Sequence, residues 1–279
     1  MKGENYVKQQ TKMRKMRLSK SMVAGYLGLA SIAVADIKPA SLFTDDMVIQ
    51  RETDAAVWGW AEPGENVTVT GSWGESAKST ADKAGEWLVK LKTPAAGGPH
   101  TITLKGNNLV ELKNVLSGDV WLCSGQSNME WPVSKASDPA KDIADANFPQ
   151  IRSFKVERNP ALEPAADCKG DWAICSPKSV KSFSAVAYFT GRELHKNLGV
   201  PIGLVTSSWG GTCVETWTPW ADQADDTFAQ ARRAPLDKAA EGYTPEKAEE
   251  NLKKLLARWE KKAAEAKAKK GRAPRKPSL

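Results

Sequence analysis

The chain has 279 residues, enough for one large domain or two ordinary ones, and its 41% hydrophobic residues can build a real core. Its formal charge of +7 belongs to its ends: residues 1–20 carry seven Lys or Arg against Glu4, residues 246–279 carry twelve against five acids, and residues 36–245 hold 21 basic and 27 acidic groups. A body with a net charge of −6 argues against nucleic acid as its partner, because such a surface must neutralise phosphates.

Met16-Arg-Leu-Ser-Lys20 precedes an uncharged, small and apolar stretch from Ser21 to Val34 that closes on Ala33-Val34-Ala35. Charged, apolar and small-residue regions in that order predict a secretory signal over residues 1–35, cleaved near Ala35, and hence a secreted or periplasmic protein. The apolar part is shorter than the roughly 20 residues a membrane-spanning helix needs, so no stable membrane span is expected. In an oxidising compartment Cys168 and Cys175 could close a small loop, and a disulfide or two free thiols are equally compatible with their spacing. No metal site is read from them, because neither a histidine nor a further cysteine pair accompanies them. Cys123 and Cys213 read as buried free thiols.

From Ala40 to Leu116 short apolar runs alternate with turns. Met47–Gln50, Ala56–Trp60, Asn66–Thr70, Glu86–Leu91 and His100–Leu104 are predicted strands, punctuated by Pro63-Gly64, Gly85 and Gly97-Gly98-Pro99. Close spacing without a helical period predicts a small antiparallel β-sandwich over residues 36–116. Trp58 and Trp60 share one face of their strand, and core packing is favoured for them over ligand stacking.

After Gly118 the rhythm changes. Val120–Cys123, Ile151–Val156 and Ile202–Thr206 read as strands, and Ala185–Leu198 as a helix that begins after Ser182 and Ser184 and stops at Gly199. This predicts an α/β unit over residues 117–243 with a parallel sheet, whose ligands gather beyond the carboxyl ends of the strands. Residues 244–279 begin with Thr244-Pro245-Glu246, a sound helix start. The run to Lys270 predicts a solvated helix with a thin apolar stripe in Leu252, Leu255, Leu256 and Trp259.

The chemistry concentrates at the end of the Val120–Cys123 strand, where Ser124-Gly-Gln-Ser127-Asn128 follows directly. A tight Gly-x-Ser turn projects a hydroxyl from a sheet and frees backbone N–H groups for a developing oxyanion. By residue type alone, a plain turn and a nucleophile are equally consistent, since Gly, Ser and Asn are also ordinary turn formers.

The longer run Gly118-Asp-Val-Trp-Leu-Cys-Ser-Gly-Gln-Ser-Asn-Met-Glu-Trp-Pro-Val133 resembles the first motif of the sialate O-acetylesterases, a branch of the SGNH/GDSL hydrolases. Ile202-Gly-Leu-Val-Thr-Ser-Ser-Trp-Gly-Gly-Thr-Cys-Val-Glu-Thr-Trp-Thr-Pro219 is similar to a second characteristic stretch. Pro39–Arg51, with Val57–Ala61 and Pro63-Gly64, resembles the β-domain that precedes the hydrolase in these enzymes. The resemblance covers residues 38–220. It implies an α/β fold class: an N-terminal antiparallel β-sandwich followed by an SGNH-type, flavodoxin-like, three-layer α/β/α hydrolase domain.

Carried across, Ser127 is implied as the nucleophile and its own N–H as one oxyanion donor, with Gly210 or Gly211 presenting the second. Gln126, Asn128, Glu130 and Trp131 are implied to line the pocket. The implied substrate is an acetylated carbohydrate, handled without metal or cofactor. The family's later Gly-Glu-Ser-Asn-like block and its Asp-x-x-His base are not found in the sequence, whose histidines are His100 and His195, preceded three residues earlier by Gly97 and Arg192. This predicts an incomplete hydrolase domain with an exposed apolar sheet edge, the charged helix being an insertion, and little turnover by the chain alone. Acetylated xylan is a rival substrate. A non-catalytic carbohydrate-binding protein and a basic-tail adaptor for anionic polymers are rivals of another class.

Overall fold

The architecture was obtained as a computed structural model, which describes residues 36–161, 164–241, 243–268 and 272–277. The expected export segment and its cleavage point at Ala35 lie outside the described residues.

The N-terminal part is β structure throughout: β1 (Lys38–Pro39), β2 (Val48–Gln50), β3 (Asp54–Trp60), β4 (Asn66–Gly71), β5 (Ser76–Thr80), β6 (Glu86–Lys92) and β7 (Gly97–Lys105). One sheet has the order β1-β3-β6; β4, β5 and β7 join a larger sheet through the long strand β8 (Leu109–Gly125). Side chains of both sheets share one apolar cluster, with Val57, Trp87, Val89 and Leu91 from the first and Val67, Val69, Ile102, Leu104 and Val115 from the second. Period-two alternation produces this directly: β6 reads exposed and buried in strict turn, so Trp87, Val89 and Leu91 point inward. In β3 the inward positions are Val57 and Gly59; Trp58 and Trp60 lie half-buried on the other side, Trp58 edge-on to Phe43 at 4.7 Å and Trp60 beneath Lys38. Gly59 is needed because a Cβ there would lie 2.2 Å from the carbonyl oxygen of Lys38.

The rest of the described chain adds α1 (Ser127–Glu130), α2 (Pro139–Ala144), β9 (Phe148–Lys155), β10 (Trp172–Cys175), α3 (Ala185–Leu198), β11 (Ile202–Ser208), α4 (Trp220–Gln223), α5 (Thr227–Glu241) and α6 (Pro245–Ala268). The large sheet runs β10-β9-β11-β8-β7-β4-β5. Its β9-β11-β8 portion is parallel, whereas β10 is antiparallel to β9. β8 crosses the boundary expected at residues 116–117 as one uninterrupted strand.

On one face of the parallel portion, α3 sets Ala187 and Tyr188 in a cluster with Ile151, Ile202 and Leu204. The helix starts where the Ser184 hydroxyl accepts from the Ala187 N–H and stops at Gly199, which takes a left-handed conformation at φ 66°. The opposite face is covered by the N-terminal segment: Phe154, Trp172 and Val205 join the cluster that holds Met47 and Val48. The buried Arg152 ties this seam, donating from Nη1 to the carbonyls of Met47 and Asn114 and from Nη2 to Asn114 Oδ1. Burial lowers its pKa, with Asp46 opposing that trend. The described helices on the sheet therefore do not by themselves form the second helical layer of the expected α/β/α arrangement.

Of the two alternatives left open for Cys168 and Cys175, the same two faces favour free thiols over a disulfide. Cys175 is buried in the cluster under α3, Cys168 packs against the cluster on the other side of the sheet, and all four cysteines are free thiols. Burial pushes the Cys175 thiol pKa up to about 11. At its carboxyl end β8 is paired only with β11; Val120 N–H is met by the Gln50 side chain, and Trp121 and Leu122 are exposed at 48% and 72%. This is an apolar open edge among the described residues. The expected charged helix is α6, with its Thr244 cap, an exposed Glu250–Lys254 pair at 2.6 Å and Trp259 hydrogen-bonded to the Pro274 carbonyl.

Candidate active site

Parallel pairing brings the end of β11 beside the end of β8. Ser207 and Ser208 lie opposite Ser124 and Gly125, and the Trp209 N–H donates to the Gly125 carbonyl at 3.1 Å. Gly125 adopts φ 143°, open to glycine and rare for other residues, and the chain turns there into α1. Met129 and Val133 anchor this turn: Met129 packs under α3 and receives a contact from the Ser184 hydroxyl, and Val133 N–H donates to the Phe183 carbonyl. With those side chains held inward, Gln126, Ser127 and Asn128 face solvent.

Ser127 lies on the lip of an open cavity of about 650 Å³ whose walls include Glu130, Trp131 and three lysines, Lys135, Lys155 and Lys181. Gln126 and Asn128 flank the serine but do not line this cavity. Trp131 is fixed by its indole N–H on the Lys135 carbonyl at 2.8 Å, with the Lys135 ammonium over its ring at 5.3 Å. The Ser127 hydroxyl has no hydrogen-bond partner among the described residues.

The turn after β11 meets Ser127 from the other side. A Cβ on Gly210 would lie 3.4 Å from Ser127 Cα and 3.5 Å from Ser127 Cβ, so residue 210 sits beside the serine with no room to spare for a side chain. Gly211 follows at φ 85°. The two glycines differ in a way the sequence does not reveal. Gly210 N–H donates to Glu130 Oε2 at 2.7 Å and is thereby occupied. Gly211 N–H has no such partner among the described residues. The carboxylate of Glu130 also pairs with Arg158, whose guanidinium lies over the Trp209 ring at 5.1 Å.

The histidines are engaged elsewhere. His195 donates from Nδ1 to the Val200 carbonyl at 2.8 Å at the end of α3, beside Phe148. His100 packs edge-on to Trp73 at 5.2 Å, and burial lowers its pKa. Neither lines the cavity at Ser127. Among the described residues no group of three or more His, Cys, Asp or Glu is placed to hold a metal ion. Sequence reasoning missed Arg158, which follows β9 in a polar stretch without a motif. Its only signal was its place just beyond the carboxyl end of a predicted strand.

Polar turns gathered at the carboxyl ends of parallel strands, with an exposed serine on one and glycines on the next, define an α/β hydrolase-like domain. Residues 117–242 match the family model described as carbohydrate esterase, sialic acid-specific acetylesterase. Sialate O-acetylesterase of Rattus norvegicus is 39% identical over 64% of this chain and 37% of its own length; that of Homo sapiens is 36% identical over 64% and 38%. The crystal structure of a carbohydrate acetylesterase from Xanthomonas citri superposes with a TM-score of 0.65 at 39% identity, covering 68% of this chain and 44% of that one. The chain thus spans little more than a third of the length of these curated relatives.

Proposed function

We propose that the chain is the nucleophile-bearing part of an exported carbohydrate esterase that removes O-acetyl groups from sialic acid or a related sugar. The observation that carries this reading is the exposed Ser127 on the cavity lip, beside the glycine turn after β11. In this reading Ser127 Oγ attacks the acetyl carbonyl carbon, the sugar oxygen leaves with a proton, and water then hydrolyses the acetyl-serine. Backbone N–H groups of Ser127 and Gly211 stabilise the oxyanion. Lys135, Lys155 and Lys181 around the cavity favour an acidic sugar over neutral acetylated xylan. The likeness to sialate O-acetylesterases and to a carbohydrate acetylesterase supports the ester and sugar chemistry.

The proton acceptor is the unsupplied part. No imidazole lines the cavity among the described residues, so the chain by itself is expected to acylate slowly and to turn over little. That feature favours a second reading, a non-catalytic carbohydrate-binding protein. Incubation of the full chain with p-nitrophenyl acetate, beside Ser127→Ala, separates the two. Acetylation of the Ser127 peptide, seen by mass spectrometry and absent in the variant, is the expected result. Equal p-nitrophenol release from both proteins with no adduct, together with sugar binding that survives the substitution, establishes the binding reading instead.

A further inference from the structure

Glu130 stands three residues after Ser127 on α1, and its two carboxylate oxygens are used in different directions. Oε2 accepts the Gly210 N–H at 2.7 Å, and Oε1 pairs with the Arg158 guanidinium. Arg158 in turn covers the Trp209 ring at 5.1 Å. One side chain therefore links three strand ends: the turn after β8 that carries Ser127, the stretch after β9 that carries Arg158, and the turn after β11 that carries Gly210.

The linkage acts at the place where fixed geometry has most effect. Neither glycine of the Gly210-Gly211 turn has a side chain, Gly211 is in a left-handed conformation, and the flanking Thr212 hydroxyl donates to the Trp209 carbonyl at 2.7 Å. That hydroxyl and the Trp209 N–H on the Gly125 carbonyl hold the flanks of the turn, and Glu130 is the partner of the Gly210 amide itself, beside Ser127. A carboxylate that accepts a backbone N–H and a guanidinium together makes directional, charge-assisted hydrogen bonds. The Glu130 side chain is 27% exposed, so these bonds are only partly screened. With both oxygens engaged, Glu130 is poorly placed to take the Ser127 proton and well placed to hold backbone.

We propose that Glu130 is a positioning residue for the reaction at Ser127: with Arg158 it clamps the Gly210-Gly211 turn against the serine, engages the Gly210 N–H and leaves the Gly211 N–H to face the acetyl carbonyl oxygen. This rests on the esterase reading of Ser127. Displacement of the turn by an ångström removes the donor from the reacting oxygen, an effect on the order of a hundredfold in rate for well-oriented groups.

The test pairs two readings on the full chain. Amide hydrogen exchange at Gly210 reports the clamp without reference to activity, and the rate of Ser127 acetylation by p-nitrophenyl acetate reports its consequence. Glu130→Ala is expected to speed Gly210 exchange about tenfold or more while Leu204 in β11 keeps its protection, and to slow acetylation about tenfold to a hundredfold. Glu130→Gln keeps an oxygen acceptor and loses the charge, so it should fall between parent and Glu130→Ala in both readings. Arg158→Gln, at a half-exposed position, should move both in the same direction by less, and it decides the matter if the alanine variant does not fold. Unchanged Gly210 exchange in these variants overturns the clamp. Faster exchange with unchanged acetylation overturns the positioning role. If the parent chain does not acetylate at Ser127, the esterase reading falls and the positioning role with it, while the exchange data still show whether the clamp exists.

Discussion

The two halves of β8 have opposite surroundings. From Leu109 to Ser117 the strand pairs with β7, β2 joins its other side at Leu116–Gly118, and Leu112, Val115, Leu116 and Ser117 are buried. Beyond Gly118 it pairs on one side only, and Trp121 and Leu122 are exposed just before the strand delivers Ser127. One continuous backbone thus runs from a dense β core to the Ser127 turn, where packing is thin. The hinge between the halves has no room for a side chain, since a Cβ on Gly118 would lie 2.1 Å from the Pro201 carbonyl oxygen.

Three substitutions test that contrast, in descending order of effect. Leu116→Ala, in the buried half, should lower unfolding free energy by about 2–5 kcal/mol in urea titration, from lost burial plus the cavity left behind. A loss as small as that of a surface substitution would erase the distinction between the halves. His100 on β7, paired in register with Val115, gives a smaller effect that depends on pH. Burial lowers its pKa, so the unfolded chain binds the proton more readily than the folded one. This contribution is full above the ordinary histidine pKa and is lost as pH falls through the window between that value and the lower folded one. The urea midpoint of the parent should decline more steeply than that of His100→Phe over about pH 7 to pH 5; parallel curves would remove His100 from the account. Leu122→Ser, in the exposed half, should leave stability within about 0.5 kcal/mol. A larger loss would mean that the open edge is packed in solution.

Much of the fold is legible locally. The helix Ala185–Leu198 is read to its ends because a serine cap and a left-handed glycine mark both. β6 and β11 announce themselves by apolar patterning. β5, Ser76–Thr80, carries almost no apolar signal and is a strand because β4 pairs with it along its length. β10, Trp172–Cys175, was hidden inside the stretch between two cysteines whose spacing left a disulfide or free thiols open, and its pairing with β9 is what separates them. α5 lacks an apolar stripe and contains Pro235, so neither period nor breaker rules favour it. At the site, Ser127, Glu130, Trp131 and the two glycines were legible as motif residues; Arg158 was not, because it matters only through partners distant in sequence.

By itself the sequence determined the alternation that makes the β core, the caps that bound α3, and the Gly-x-Ser turn at a strand end, all of which depend on residues within a few positions of one another. Tertiary structure decided which glycine amide is engaged, which arginine is buried and which is at the site, and that Cys168 and Cys175 face opposite sides of a sheet. Those outcomes depend on contacts across long stretches of chain, such as the 80 residues between Glu130 and Gly210, and short-range patterning carries no information about which strand ends a sheet will bring together.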